Sequence, residues 1–176
     1  MSRSFENIKI RIRKQELNSQ EYSQVIKLIK KENYISILSS LEESTIIEFL
    51  KISINSANIY FYTYEENQEI IGYAILAREP KYLISEFYKI RFMILKNLVR
   101  KFKIQTIANL ILSVSGIDLI FFPKNNKKLM DKSLNLNMLA VRKEYQSKGI
   151  GGLFLKKIIL DINKSNEFNI LIVESF

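Results

Sequence analysis

The segment Gln146-Ser147-Lys148-Gly149-Ile150-Gly151-Gly152 sets three glycines within four positions, directly ahead of the apolar run Leu153 to Asn163. Glycine lets a backbone come close to a bound group. The first turn of a helix adds N–H groups without an intrahelical acceptor and a partial positive charge. Between a strand and a helix, such a loop suits a phosphate or pyrophosphate and needs no particular side chain to hold it. The spacing is neither G-x-x-x-x-G-K-S/T nor G-x-G-x-x-G. A plain glycine turn that tightens a strand-to-helix connection is the competing reading. The chain has no histidine and no cysteine, which removes the usual neutral-pH base, the commonest metal ligand, thiolate chemistry and disulfides. Proton transfer then falls to carboxylate, tyrosine, lysine, backbone or water.

The elements that must position this loop follow from periodicity. Ile8, Ile10 and Ile12 alternate with Lys9, Arg11 and Arg13, predicting a half-buried first strand. Ser19 stands as the predicted N-cap of a helix whose apolar side is Tyr22, Val25, Ile26, Leu28 and Ile29, running to about Lys31. A second helix is predicted from about Ser36 to Ile54. Asn58 to Thr63 and Glu69 to Ala77 predict a β-hairpin with a Glu-Glu-Asn turn, ended by Pro80.

Lys81 to Pro123 is predicted helical: Phe87, Ile90, Ile94, Leu95 and Leu98 recur at helical spacing, with a cationic surface beside them. Gly116 interrupts it, and Ile117 to Phe122 is a short strand or a continuation; Asn125 to Ser133 is a polar loop. Leu134, Leu136, Met138, Leu139 and Val141 mark the next strand, and Gly149 to Gly152 the glycine turn. Leu153 to Asn163 is the next helix and Ile170 to Val173 a last strand. Strand, turn, helix and strand make a βαβ unit with parallel strands, so the fold class is α/β.

The run from Leu139 through Ala140-Val141-Arg142-Lys143-Glu144-Tyr145 to Gln146 and on to Leu155 resembles the central motif of the GNAT N-acetyltransferases. That family has a strand ending in Ala-Val, a short charged connection, then Gln/Arg-x-x-Gly-x-Gly/Ala opening a helix. The resemblance implies a GNAT-like mixed sheet with a βαβ acyl-CoA-binding unit and a helical insertion, Lys81 to Lys132, between hairpin and cofactor strand.

It also implies that acetyl-CoA is the co-substrate. Met138, Leu139, Ala140 and Val141 would pair with its pantetheine arm, and Gln146, Ser147, Lys148, Gly149, Ile150, Gly151 and Gly152 would hold its pyrophosphate. A bulge in the cofactor strand would splay it from Ile170–Val173 and leave a gap for the acyl group. The family transfers acetyl directly to an amine, so alignment carries much of the rate and a general base adds roughly 10² to 10⁴-fold. Where some members place that carboxylate this chain has Asn135, which can hold a water. Of the nearby acids Asp131 and Glu174, Glu174 is the candidate catalytic or substrate-contacting acid. Family members continue with a Tyr-bearing helix and two closing strands, whereas this sequence stops at Phe176. A single domain, 1–176, incomplete at its C-terminus is therefore expected, its sheet completed by a second copy or a partner.

The length of 176 residues and the 47% hydrophobic content suit one domain with a sizeable core. The formal charge of +9 draws polyanions in general, but the lysines are spread along the chain, so nucleic acid is disfavoured as a partner. Gln105, Asn109 and Asp118 interrupt Ile104 to Phe122, too polar a stretch to span a bilayer. With the cationic stretch before it, peripheral membrane contact stays open beside a packed cap over the substrate cleft. Met1 to Glu6 carries no secretory signal, and a cytoplasmic protein is expected.

Three functions remain in view. The first is an N-acyltransferase acting on a small-molecule primary amine, such as an amino sugar. The second is a CoA-binding module impaired in catalysis that acts through a partner. The third is a basic, membrane-surface-associated protein in which the glycine turn is only structural.

Overall fold

The computed structural model describes residues 8–13, 16–32, 37–101, 133–165, 168 and 170–173. Their elements run β1 (Ile8–Arg13), α1 (Ser19–Glu32), α2 (Ile37–Ser40), α3 (Glu43–Asn55), β2 (Ile59–Glu66) and β3 (Glu69–Ala77). There follow α4 (Pro80–Lys89), α5 (Arg91–Lys101), β4 (Ser133–Val141), a 3₁₀ turn (Lys143–Tyr145), α6 (Ile150–Ser165) and β5 (Ile170–Val173). The five strands form one sheet in sequence order, antiparallel throughout except for the parallel β4–β5 pair.

Each face of this sheet carries its own core. On one face α1, α3 and α4 bury Val25, Ile29, Phe49, Leu50 and Leu83 against Phe61, Tyr73 and Ile75. On the other, α6 buries Ile150, Phe154, Ile158 and Ile162 against Tyr62, Tyr64, Ala74, Leu76 and Leu134. Covering on both faces explains why β3 is buried at eight of its nine positions and shows no alternation in sequence.

Local chemistry moves several predicted boundaries. Asn18, not Ser19, caps α1: its Oδ1 accepts from the Glu21 backbone N–H at 2.9 Å, and the Glu21 carboxylate accepts from the Asn18 N–H at 2.9 Å. This is a reciprocal capping box. The predicted helix Ser36–Ile54 is interrupted at Leu41 and Glu42, where Glu42 is extended and its carbonyl accepts from Thr45 and Ile46 to start α3. The serines before the break favour local bonds over helix continuation.

The hairpin turns at Asn67-Gln68, with φ of 49° and 67°, and not at Glu-Glu-Asn. Two positive φ values suit the right-handed twist of a hairpin, and asparagine tolerates them. Glu65 instead pairs within β2, accepting from the Thr63 hydroxyl at 2.8 Å while Arg11 approaches it at 3.3 Å. Pro80 opens α4 at its first position, where a missing N–H costs nothing. α6 begins at Ile150, so Gly151 and Gly152 belong to its first turn. The stretch 102–132, with Ile104 to Phe122, the loop Asn125 to Ser133 up to residue 132, and Asp131, lies outside the described residues.

A candidate acyl-CoA site on the fourth strand

β4 changes face in mid-course. Leu134 and Leu136 point into the α6 core, whereas Met138 and Ala140 join the core under α1 and α3. Register explains the flip: Ile75 pairs with Met138 but Leu76 with Leu136, so Asn137 is an extra residue, a β-bulge. The parallel pairing with β5 runs from Ser133–Ile170 to Leu136–Val173, stopping one residue before that bulge. Among the described residues, Met138–Val141 therefore have a partner strand on the β3 side alone. Their outer edge offers backbone donors and acceptors, and Leu139 is over one-third exposed beside them.

At the far end of β4 the chain turns sharply into α6. The Arg142 backbone N–H donates to Ile71 O at 2.8 Å, and its guanidinium donates to Glu69 Oε2 at 2.8 Å and Ile70 O at 3.2 Å. The strand end is thereby tied to the hairpin. Gln146 Nε2 donates to Val141 O at 2.7 Å and to Glu32 Oε2 at 2.9 Å. Glu32 Oε1 also accepts from the Lys143 N–H at 3.2 Å, so the last residue of α1 clamps the turn from outside. Lys148 Nζ donates to the Glu144 carbonyl, and Tyr145 Oη bonds the Glu66 carboxylate. Ser147 and Gly149 take positive φ, 58° and 74°, which closes the turn. Ile150, buried, roots the start of α6.

The glycines test whether a pyrophosphate fits. A Cβ built at Gly149, Gly151 or Gly152 would meet no atom within 4 Å. Internal packing explains none of the three, and only Gly149 has a backbone angle that favours glycine. Glycine in a helix costs about 0.5–1 kcal/mol relative to alanine. Two of them stand in the first turn of α6, where the space over the backbone is open to an external group. Gly72 makes the contrast: its Cβ would stand 2.9 Å from Ala140 O, so close strand packing explains that glycine.

Other sequence candidates separate. Asn135 is buried, and its Nδ2 donates to the carbonyls of Arg78 at 3.2 Å and Ala77 at 3.5 Å, so a water held there would meet its oxygen. Glu174 lies outside the described residues, immediately after β5. Two residues the motif did not single out stand at this strand and turn. One is Glu32, for which no sequence signal existed. The other is Asn137, whose side-chain oxygen is buried at the bulge with no hydrogen-bond partner. A hydrogen-bonding asparagine inside an alternating apolar run was its available signal.

No family model matches the sequence, and no curated protein does. Solved structures do match. A GNAT family acetyltransferase from Staphylococcus aureus aligns with a TM-score of 0.56 at 13% identity, over 97% of this chain and 87% of that one. The fold is that of the GNAT acetyltransferases. An aminoglycoside acetyltransferase from an uncultured soil metagenomic sample, solved with trehalose, aligns at TM-score 0.54 and 14% identity, over 98% of this chain and 80% of that one. AAC(6')-Iy in complex with the bisubstrate analog CoA-S-monomethyl-acetylneamine aligns at TM-score 0.55 and 7% identity, over 96% and 80%. β4 with its bulge, the glycine turn and α6 carry the run whose sequence resembles the GNAT central motif.

Proposed function

We propose that this chain is an N-acyltransferase that moves an acetyl or other short acyl group from coenzyme A to a primary amine by direct transfer. The observation that carries the reading is the coincidence along one strand. The bulge at Asn137 falls where parallel pairing stops, and the glycine turn stands at the strand's other end with open space over all three glycines. A strand edge for an amide-bearing arm, joined to a helix N-terminus for a diphosphate, is what an acyl-CoA requires.

Bound acetyl-CoA would supply the activated acyl group as a thioester. The residues of the chain supply position. The outer backbone edge of Met138–Val141 pairs with the arm amides as an added strand would. The N–H groups from Gln146 to Gly152 hold the anionic end, with Lys143 and Lys148 nearby as exposed cations. Asn135 is proposed to hold a water at the start of β4, and Glu174 to contact the amine or take its proton. One of the matched structures is an aminoglycoside acetyltransferase and another holds the bisubstrate analog CoA-S-monomethyl-acetylneamine, which supports an amino sugar or similar polyhydroxylated amine as acceptor. Acceptor specificity is proposed to lie in the insertion that begins with α4, whose Phe87 stacks on Phe49 of α3.

The test is calorimetric titration of the purified chain with acetyl-CoA at moderate salt, followed by acyl transfer to a panel of amino sugars. Micromolar binding and amine-dependent CoA release support the proposal. A folded protein that binds no acetyl-CoA overturns it.

A further inference from the structure

A second surface has chemistry that acyl transfer does not use. From Phe87 to Ile117 the sequence contains no aspartate or glutamate, while Lys89, Arg91, Lys96, Arg100, Lys101 and Lys103 place six cations within fifteen residues. In the structure α4 passes into α5 through Ile90, whose carbonyl accepts from the Ile94 N–H at 3.0 Å. Ile90 and Ile94 face the core. The opposite side turns large apolar groups outward: Phe92 is 72% exposed, Tyr88 56% and Leu95 44%. Phe92 and Leu95, three residues apart on α5, share its exposed side, and Tyr88 stands exposed at the end of α4 just before the turn at Ile90. Exposed cations flank these groups. The Arg91 guanidinium sits 4.8 Å over the Phe92 ring and donates to Tyr88 O at 3.2 Å, and Lys96 follows Leu95.

We infer that this face docks on an anionic lipid bilayer surface. Exposed apolar groups rimmed by cations match a membrane interface, where rings and aliphatic chains enter the acyl boundary and cations meet headgroups; the acid just before this stretch, Glu86, is buried and paired with Lys89. Arg and Lys suit this arrangement because their stems lie along apolar surface while their heads reach the polar layer. RNA, the other polyanion, would use the cations and rings but gives no reason to expose Leu95 and Met93. No helix among the described residues is long and apolar enough to cross a membrane, so the contact is peripheral. Each cation near an anionic surface strengthens attachment roughly five-fold, and the attraction fades as salt screens it. This inference does not depend on the acyltransferase reading.

The chain has no tryptophan, so Phe92→Trp installs a single reporter among these exposed apolar groups. The expected result is a blue-shifted emission and co-sedimentation with vesicles of phosphatidylcholine mixed with phosphatidylglycerol. With phosphatidylcholine alone both should be far smaller, and salt should weaken them. Adding Leu95→Ser and Lys96→Glu, both at exposed positions, should lower partitioning at least about ten-fold with an unchanged circular dichroism spectrum. The inference is overturned if the folded chain ignores anionic vesicles, if the added substitutions leave partitioning unchanged, or if poly(U) alters the emission while vesicles do not. Acetyl-CoA titration of the same samples keeps the two readings apart, since either result can occur without the other.

Discussion

Gly149 allows the anion seat to be tested with two substitutions whose stability and affinity effects run in different orders. Its φ of 74° lies in the left-handed region, and a side chain there meets nothing within 4 Å. Gly149→Ala therefore costs backbone strain alone, about 1–2 kcal/mol. At about 2–4 °C per kcal/mol for a domain of this size, Tm should fall by about 2–8 °C. Gly149→Glu carries the same strain, but its carboxylate stands at the N-terminus of α6, a position that favours negative charge by about 0.3–1 kcal/mol. The Glu variant should thus be at least as stable as the Ala variant. Affinity for CoA should follow the reverse order. A unit negative charge about 5 Å from two phosphate charges costs about 1.7 kcal/mol even at the dielectric of water, or about fifteen-fold in Kd. Differential scanning calorimetry and isothermal titration of both variants measure the two orders. Equal CoA affinities in two folded variants would refute a phosphate seat on this turn.

Two further outcomes follow from the neighbouring contacts. Gln146→Leu removes the donor that bridges Val141 O and Glu32; it should weaken acetyl-CoA about five- to ten-fold and lower stability by about 1 kcal/mol, read by the same titration and by urea unfolding. Burial, then the Asp161 charge beside it, raises the Tyr62 phenol above its ordinary value of 10.0, and Tyr22 and Tyr64 shift the same way. The native state holds these protons more tightly than the unfolded chain, so their stabilisation is complete below pH 10 and lost as pH rises above it. Tm should fall steeply above pH 10, and less steeply in Tyr62→Phe; parallel curves for wild type and variant would contradict the assignment.

The parts of the site that were legible in the sequence are those that depend on local chemistry. Gly149, Gly151 and Gly152 before Leu153 declare a turn into a helix whatever the rest of the chain does, and Ile170–Val173 has the bounds expected of it. The bulge at Asn137 was implied by the family resemblance but could not be located by periodicity. Leu134, Leu136 and Met138 keep an unbroken period of two, yet the first two face α6 and the third faces α1 and α3. Both faces are covered, so either orientation buries an apolar residue and the sequence leaves no scar at the slip. The hairpin turn was misplaced for a similar reason: Glu65 looks like turn residue until Arg11, over fifty positions earlier, arrives to pair with it. Glu32 was invisible because its partners lie more than a hundred residues downstream.

That last separation has a consequence for how the site comes into being. Glu32 reaches the Lys143 N–H across 111 positions and the Gln146 amide across 114. The glycine turn carries its whole sequence signature within a few residues, yet its shape is braced by a helix made long before it during synthesis. A peptide spanning only β4 to α6 would contain every residue of the motif and lack the brace. The proposed anion seat is therefore a late-maturing part of the fold, sensitive to anything that delays docking of α1, even where the motif itself is untouched.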